Sequence, residues 1–202
     1  MKSLDFSRLS DFIDKKWDES ALPSLCEFIE IPALSPSFDS DWEENGYLDA
    51  AIETFISWVK SLPLERTSVS VHRLSGRSPV LLVTIDGDAE GEILFYSHLD
   101  KQPEATGWSE GKGPWKPVIE DNWLYGRGSV ADGYGGYAGV LSVLGLQEQG
   151  LSHPTCRFLI ETGEESGSPD LELYLDELKP QLGIPDLVIV LDTGGMDYDR
   201  LW

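Results

Sequence analysis

Two adjacent glutamates, Glu164 and Glu165, follow a short apolar run and are the sharpest chemical feature of the sequence. Adjacent acids at the end of a buried strand must either repel each other or share a cation. One of them could ligate a metal ion, and the other could act as general base towards a water molecule whose pKa the ion has lowered. The alternative is a solvated acidic turn at the start of a helix, with Ser168 as the N-cap.

A histidine and two aspartates follow two other apolar runs. His98 and Asp100 end the run EILFYSHLD (92–100), and Asp192 ends the run DLVIVLD (186–192). Two residues apart in an extended segment, His98 and Asp100 point to the same side, so Asp100 can orient the imidazole ring and select its tautomer. Asp192 has an alternative interpretation as an Asx-turn or helix N-cap. Because sites in open α/β sheets assemble at the carboxyl ends of the strands, we expect all these side chains to converge at one edge.

The surrounding sequence predicts the elements that would position these residues. Apolar residues at helical spacing predict helices, and dense apolar runs bounded by glycine and acidic residues predict strands. Helices are predicted over 5–18, 20–31, 47–62, 132–149 and from Ser168–Pro169 onward, and strands over 67–74, 79–86, 92–100, 123–125, 156–162 and 186–192. This alternation predicts an α/β fold with a mixed, mostly parallel sheet flanked by helices on both faces. The long loop 101–121, which carries Trp108 and Trp115, is expected either to line a functional pocket or to pack against the core.

Composition excludes several classes of function. Thirty-six Asp and Glu residues against fifteen Lys and Arg give the 202-residue chain a formal net charge of −21, which would repel a nucleic acid backbone. Cys26 and Cys156 are far apart and indicate no disulfide framework. The amino terminus has no apolar signal region, and no apolar run is long enough to span a membrane. We therefore expect a cytoplasmic protein without nucleic acid or membrane partners.

Four segments, in this order, resemble a family of co-catalytic zinc peptidases. They are YSHLDKQP (96–103), LYGRGSVADGYGGYAG (124–139), IETGEESGSPDL (160–171) and VLDTGG (190–195). The family includes carnosine dipeptidase, carboxypeptidase G, aminoacylase and the succinyl-diaminopimelate desuccinylases. The resemblance runs from about residue 20 to the end of the chain, and four ordered motifs make it specific.

The resemblance implies a metal-dependent hydrolase that cleaves the amide bond of a dipeptide or an N-acyl amino acid with metal-activated water. It implies two zinc ions per complete site, with manganese and cobalt as alternatives. His98 and Asp192 would ligate one ion and Glu165 the other. Glu164 would be the general base, and Asp100 would orient His98.

The sequence departs from the family pattern at Ala131. The family's glycine-rich motif places an aspartate that bridges both ions at this position, and Asp132 falls on the variable position that follows it. We expect Asp132, a doubtful ligand, to point in a different direction. Loss of the bridging anion would raise the repulsion between two dications, so we expect at least one metal site to be empty and activity to be impaired.

A second departure concerns length. Chains of the family continue with a lid or dimerisation domain and then with the rest of the catalytic domain, which supplies another histidine ligand. We expect residues 1–202 to be the N-terminal portion of a catalytic domain, with an incomplete sheet, and we expect the missing part, as well as Ala131, to impair activity. Any homodimer is expected to form through the domain that is absent.

Two alternative functions remain open at this stage. The chain could be a non-catalytic homologue that binds a metal ion or a partner at its acidic edge, an interpretation that Ala131 favours. The segment Gly126–Ala131 also fits the loose dinucleotide fingerprint GxGxxA before a predicted helix. The preceding segment is short and polar, which disfavours a nucleotide site.

Overall fold

The computed structural model describes residues 3–192. The helices are α1 (Phe6–Lys16), which continues through a π-helical turn (Trp17–Ala21) into α2 (Leu22–Glu30), then α3 (Trp42–Asn45), α4 (Tyr47–Ser61), α5 (Tyr134–Glu148) and α6 (Leu171–Leu182). The strands are β1 (Thr67–His72), β2 (Val80–Ile85), β3 (Glu92–His98), β4 (Val118–Glu120), β5 (Trp123–Tyr125), β6 (Thr155–Glu161) and β7 (Leu187–Val190). The part of the segment VLDTGG that follows Asp192 lies outside the described residues.

Five strands form one mixed sheet in the order β1-β2-β6-β3-β7. β2 runs antiparallel to both of its neighbours, whereas β6, β3 and β7 are parallel to one another. β1, β3, β6 and β7 therefore point in one direction, and the carboxyl ends of β3, β6 and β7 lie side by side. The predicted α/β fold with a mixed sheet is confirmed.

Helices cover both faces of this sheet because alternate strand residues point to opposite sides. On β2, Leu81 and Val83 belong to the larger core, which also contains buried residues of α2, α4 and α5. Val80 and Leu82 belong to a smaller core on the other face, which they share with buried residues of α6. Helices thus pack against both faces of the sheet and hold the carboxyl ends of β3, β6 and β7 in place.

Close packing of α5 on the sheet depends on its small residues. A Cβ atom at Gly135 would lie 2.2 Å from the Leu191 carbonyl oxygen, and one at Gly139 would lie 2.8 Å from the Phe158 ring. The start of α5 therefore approaches the segment that leads to Asp192. The small residues of α5 thus allow its close packing on the sheet.

Local structure differs from the sequence-based prediction in two places. β4, inside the predicted loop 101–121, pairs with β5 in a hairpin separate from the main sheet. Ser168 is not an N-cap, because α6 begins at Leu171 after Asp170 and has no side-chain cap. Ser168 instead adopts a positive φ of 51° and directs its hydroxyl towards Glu161.

β7 is an edge strand with apolar side chains in solvent. Leu187, Val188 and Val190 are all exposed. Exposed apolar edges of this kind are normally covered by other structure. Among the helices described here, none combines the length and the apolarity needed to cross a membrane.

Candidate metal centre

His98 lies at the centre of the candidate site. It ends β3, is 1% exposed, and directs Nδ1 towards Asp100, at 3.1 Å from the backbone oxygen and 3.4 Å from Oδ1. Its Nε2 lies 3.4 Å from Asp192 Oδ1 and 3.8 Å from Glu164 Oε2. Because Nδ1 is engaged by Asp100, Nε2 is the nitrogen that can ligate an ion.

Asp100 supports the glutamate pair as well as His98. It is 0% exposed, and its Oδ1 and Oδ2 accept hydrogen bonds from the backbone N–H groups of Glu164 (3.1 Å) and Glu165 (2.9 Å). These bonds fix the short 3₁₀ turn Glu164–Ser166 against the end of β3. The sequence predicted the contact with His98, but it gave no signal for this second contact.

The two glutamates face different partners. Glu164 lies near His98 Nε2 and Asp192, whereas Glu165 accepts a hydrogen bond from the Gln102 side chain. Burial raises the pKa of Glu164, and the negative charge of Asp192 raises it further, although the charge of His98 opposes the shift. A raised pKa suits a group that must take up a proton near neutral pH.

Asp132 lies within the cluster: it is 4% exposed, and its carboxylate lies with His98 and Glu165 in a group whose ligand atoms are within 4.8 Å of one another. Asp132 Oδ2 is buried and has no hydrogen-bond partner. Burial raises its pKa to about 7, and the hydrogen bond and charge of Glu165 add to the shift. A buried carboxylate oxygen without a donor is what a cation site requires.

The ligand atoms fall into two groups that share one residue. The first group comprises His98, Glu164 and Asp192, and the second comprises His98, Asp132 and Glu165. Nε2 of a neutral imidazole has a single lone pair, so it can ligate only one ion at a time. The side chain of Ala131 supplies no oxygen, and no carboxylate in the described part of the chain belongs to both groups. Among the described residues, the two ligand groups therefore have only His98 in common.

Proton binding at His98 follows from this acidic environment. Burial opposes the charged imidazole, but the hydrogen bond and charge of Asp100, together with the charges of Glu164 and Asp132, raise the pKa of His98 to about 9. Without an ion, a protonated His98 offsets part of the repulsion between the carboxylates. A divalent ion would replace that proton.

This shift predicts how stability depends on pH. A raised pKa means that the folded state binds the proton more tightly, so the stabilisation is complete below pH 6.5 and is lost as pH rises through about 9. We expect the difference in free energy of unfolding between the EDTA-treated wild type and His98→Gln to shrink by up to about 3 kcal/mol over this window. Urea denaturation of both proteins at pH 6, 7.5 and 9 measures it, and a constant difference would contradict the prediction.

A cleft of about 260 Å³ lies beside the second group. Ala131, Asp132, Trp108 and Arg127 are among its lining residues. Trp115 lies elsewhere, with its ring 5.3 Å from the buried ammonium of Lys101. Trp108 therefore lines a cleft, whereas the Trp115 ring packs against Lys101.

Comparison with known protein families assigns this chain to one of them. The model of peptidase family M20/M25/M40 matches residues 94–197. The chain belongs to this family. Its resemblance to co-catalytic peptidases is thereby confirmed, and membership implies a divalent metal ion.

Several known proteins are similar to this chain. An uncharacterized metallohydrolase of Methanocaldococcus jannaschii is 26% identical over 184 residues, which cover 87% of this chain and 44% of that protein. Human Beta-Ala-His dipeptidase is 32% identical over 132 residues, or 61% and 24% of the two chains. The M20 family metallo-carboxypeptidase Sso-CP2 from Sulfolobus solfataricus superposes with a TM-score of 0.73 at 25% identity, over 89% of this chain and 38% of that chain. This M20 family member thus spans less than half the length of each of these three relatives.

The dinucleotide alternative finds no support in the fold. Gly126–Ala131 follows β5, which belongs to the separate hairpin and not to the five-stranded sheet. A dinucleotide fingerprint requires a buried strand of the main sheet before it. The motif here serves instead to bring Asp132 to His98.

Proposed function

We propose that this M20 family member is part of a metal-dependent hydrolase that cleaves the amide bond of a dipeptide or an N-acyl amino acid. The observation that carries the proposal is the convergence of His98 with four carboxylates at one rim of the sheet, in a chain of a peptidase family. The matches to a human dipeptidase and an archaeal carboxypeptidase support the substrate class. Zinc is the proposed ion, with manganese and cobalt as alternatives, because a mixed nitrogen and oxygen donor set accepts all three.

Individual roles follow from the contacts of each residue. In a complete two-ion site, His98 and Asp192 would hold one ion and Glu165 the other, with Asp132 as a further ligand beside Glu165. A divalent ion, when bound, acidifies water and polarises the scissile carbonyl. Glu164 would take the proton from the attacking water and pass it to the leaving nitrogen. Asp100 would hold both the His98 ring and the backbone of Glu164 in place.

Activity of the chain is proposed to be impaired by Ala131. Without a carboxylate that belongs to both ligand groups, two ions would repel each other, and the chain would bind one. A non-catalytic homologue that binds a single ion is the second candidate, and the lack of a carboxylate at Ala131 is the observation that favours it.

We also propose that residues 1–202 form the N-terminal portion of a catalytic domain, with a lid or dimerisation domain and the remaining catalytic portion supplied elsewhere. The exposed apolar side chains of β7 support this proposal, because an edge strand of this kind is normally covered. A homodimer formed through that other domain is part of the same proposal.

Metal titration and a substrate panel test the proposed function. Isothermal titration with Zn²⁺, Mn²⁺ and Co²⁺ should show binding of one ion by the wild-type chain, and His98→Ala should abolish it. His72→Ala is the matched control, since His72 lies on β1 and belongs to neither ligand group. Hydrolysis of dipeptides and N-acyl amino acids with the ion present should be slow but metal-dependent. Equal metal binding by the wild type and His98→Ala would refute the proposed centre.

A further inference from the structure

Glu161 is a buried carboxylate that neither proposed ligand group uses. It ends β6, lies opposite His98 in the parallel register, and is 2% exposed. Its Oε1 accepts hydrogen bonds from the Tyr96 hydroxyl and from Ser168 Oγ, the latter at 2.7 Å. Burial of a carboxylate is unfavourable unless donors compensate it, so these two hydroxyls account for its presence in the structure.

The bond to Ser168 reaches the segment that carries the glutamate pair. Ser168 closes the turn that begins at Gly163, since its backbone N–H donates to the Gly163 carbonyl at 3.0 Å. Its φ of 51° lies in the left-handed region, which is unfavourable for a residue with a side chain. Strain of this kind persists where surrounding contacts impose it, and the hydrogen bond to Glu161 is such a contact.

Two carboxylates therefore hold the turn at its opposite ends. Asp100 binds the backbone at Glu164 and Glu165, and Glu161 binds Ser168 at the far end. Ser166 Oγ in the middle of the turn also contacts the Ser35 hydroxyl at 2.6 Å and the Ser37 backbone N–H at 2.9 Å, and the second of these contacts is exposed to solvent, where water competes with it. The bond from Ser168 to Glu161 joins the far end of the turn directly to β6 of the main sheet.

We propose that Glu161 is a positioning residue of the metal centre: through Ser168 it fixes the turn that presents Glu164 and Glu165 to His98. This inference rests on the proposed metal centre and adds a residue outside it. Residues that orient metal ligands typically change metal affinity 10- to 100-fold when they are replaced. Glu161 belongs to neither ligand group, so its effect on metal affinity depends on its hydrogen bond with Ser168.

Cobalt binding to four variants tests the inference. Glu161→Leu removes the acceptor, Ser168→Ala removes the donor on the turn, and Glu161→Gln keeps an oxygen that can accept both bonds. Thr162→Val is the matched control, because buried Thr162 Oγ1 donates to the Pro79 carbonyl at 2.7 Å and does not reach the turn. Co²⁺ affinity and the visible absorption of bound cobalt are measured on each purified protein, together with the urea midpoint.

We expect Glu161→Leu and Ser168→Ala to weaken Co²⁺ binding about tenfold or more and to alter the absorption bands. Glu161→Gln and Thr162→Val should bind cobalt as the wild type does, even where their urea midpoints fall. If Glu161→Leu does not fold, the Co²⁺ affinity of Ser168→Ala still decides the test. Wild-type affinity in Ser168→Ala would overturn the inference alone, whereas a wild-type chain that does not bind cobalt would overturn the metal centre and this inference with it.

Discussion

Ala131→Asp is expected to raise the number of divalent ions bound per chain from one to two. The wild-type ligand groups share His98, whose single free nitrogen serves one ion, and no described carboxylate belongs to both groups. A carboxylate at position 131 would add a bridging anion and reduce the repulsion between two dications. Its side chain has room, because Ala131 lines the cleft of about 260 Å³ beside Asp132.

Metal analysis after dialysis against buffered Zn²⁺ gives the stoichiometry, and we expect metal-dependent hydrolysis to rise on the order of 100-fold in the same variant. Ala131→Asn is the control, since it has the same shape without the negative charge and should leave one ion bound. Two ions in the wild-type chain would mean that Asp132 already bridges them, and the argument from Ala131 would then be wrong.

The strands were predictable because their apolar character is local. β7 lies within the apolar run DLVIVLD, and β3 lies within EILFYSHLD. The helix predicted over 47–62 matches α4 to within one residue. Strand order was not predictable in the same way, because it depends on pairings between distant segments. β6 lies between β2 and β3 although it follows them by more than fifty residues in the sequence.

The convergence of the candidate site was predictable from the direction of the strands. His98 ends β3, and Asp192 follows β7, the parallel neighbour of β3. A prediction that places these two strands side by side therefore also places the two side chains close together. Asp132 was different, because the loop before it turns at Gly128, whose φ of 94° only glycine adopts readily. A Cβ atom at Gly128 would also lie 2.7 Å from the Phe28 ring. Spacing alone cannot give the direction of a side chain that follows such a turn.

The sequence does not indicate the buried position of Glu161, for a related reason. In the sequence it is the acidic end of an apolar run, which resembles a solvated strand terminus. Its burial depends on Tyr96 from β3 and Ser168 from the turn, and neither contact has a local signal. Buried polar networks of this kind become visible only when the sheet is assembled.

Glu164→Gln is expected to reduce metal-dependent hydrolysis by a factor of about 10² to 10⁴ while ion binding changes little. The amide keeps the shape of the side chain but cannot take a proton from water. The backbone of residue 164 would still donate to Asp100, so the turn should keep its position. The raised pKa of Glu164, caused mainly by burial, suits a base that works near neutral pH.

Glu164 also belongs to a ligand group with His98 and Asp192, and the same variant separates the two roles. A base changes turnover alone, whereas a ligand changes affinity, so kcat and the metal dissociation constant must be measured together in the wild-type and Ala131→Asp backgrounds. Glu165→Gln is the matched control and should show the opposite pattern, with weaker ion binding. A loss of affinity in Glu164→Gln as large as in Glu165→Gln would make Glu164 a ligand and remove it as the base.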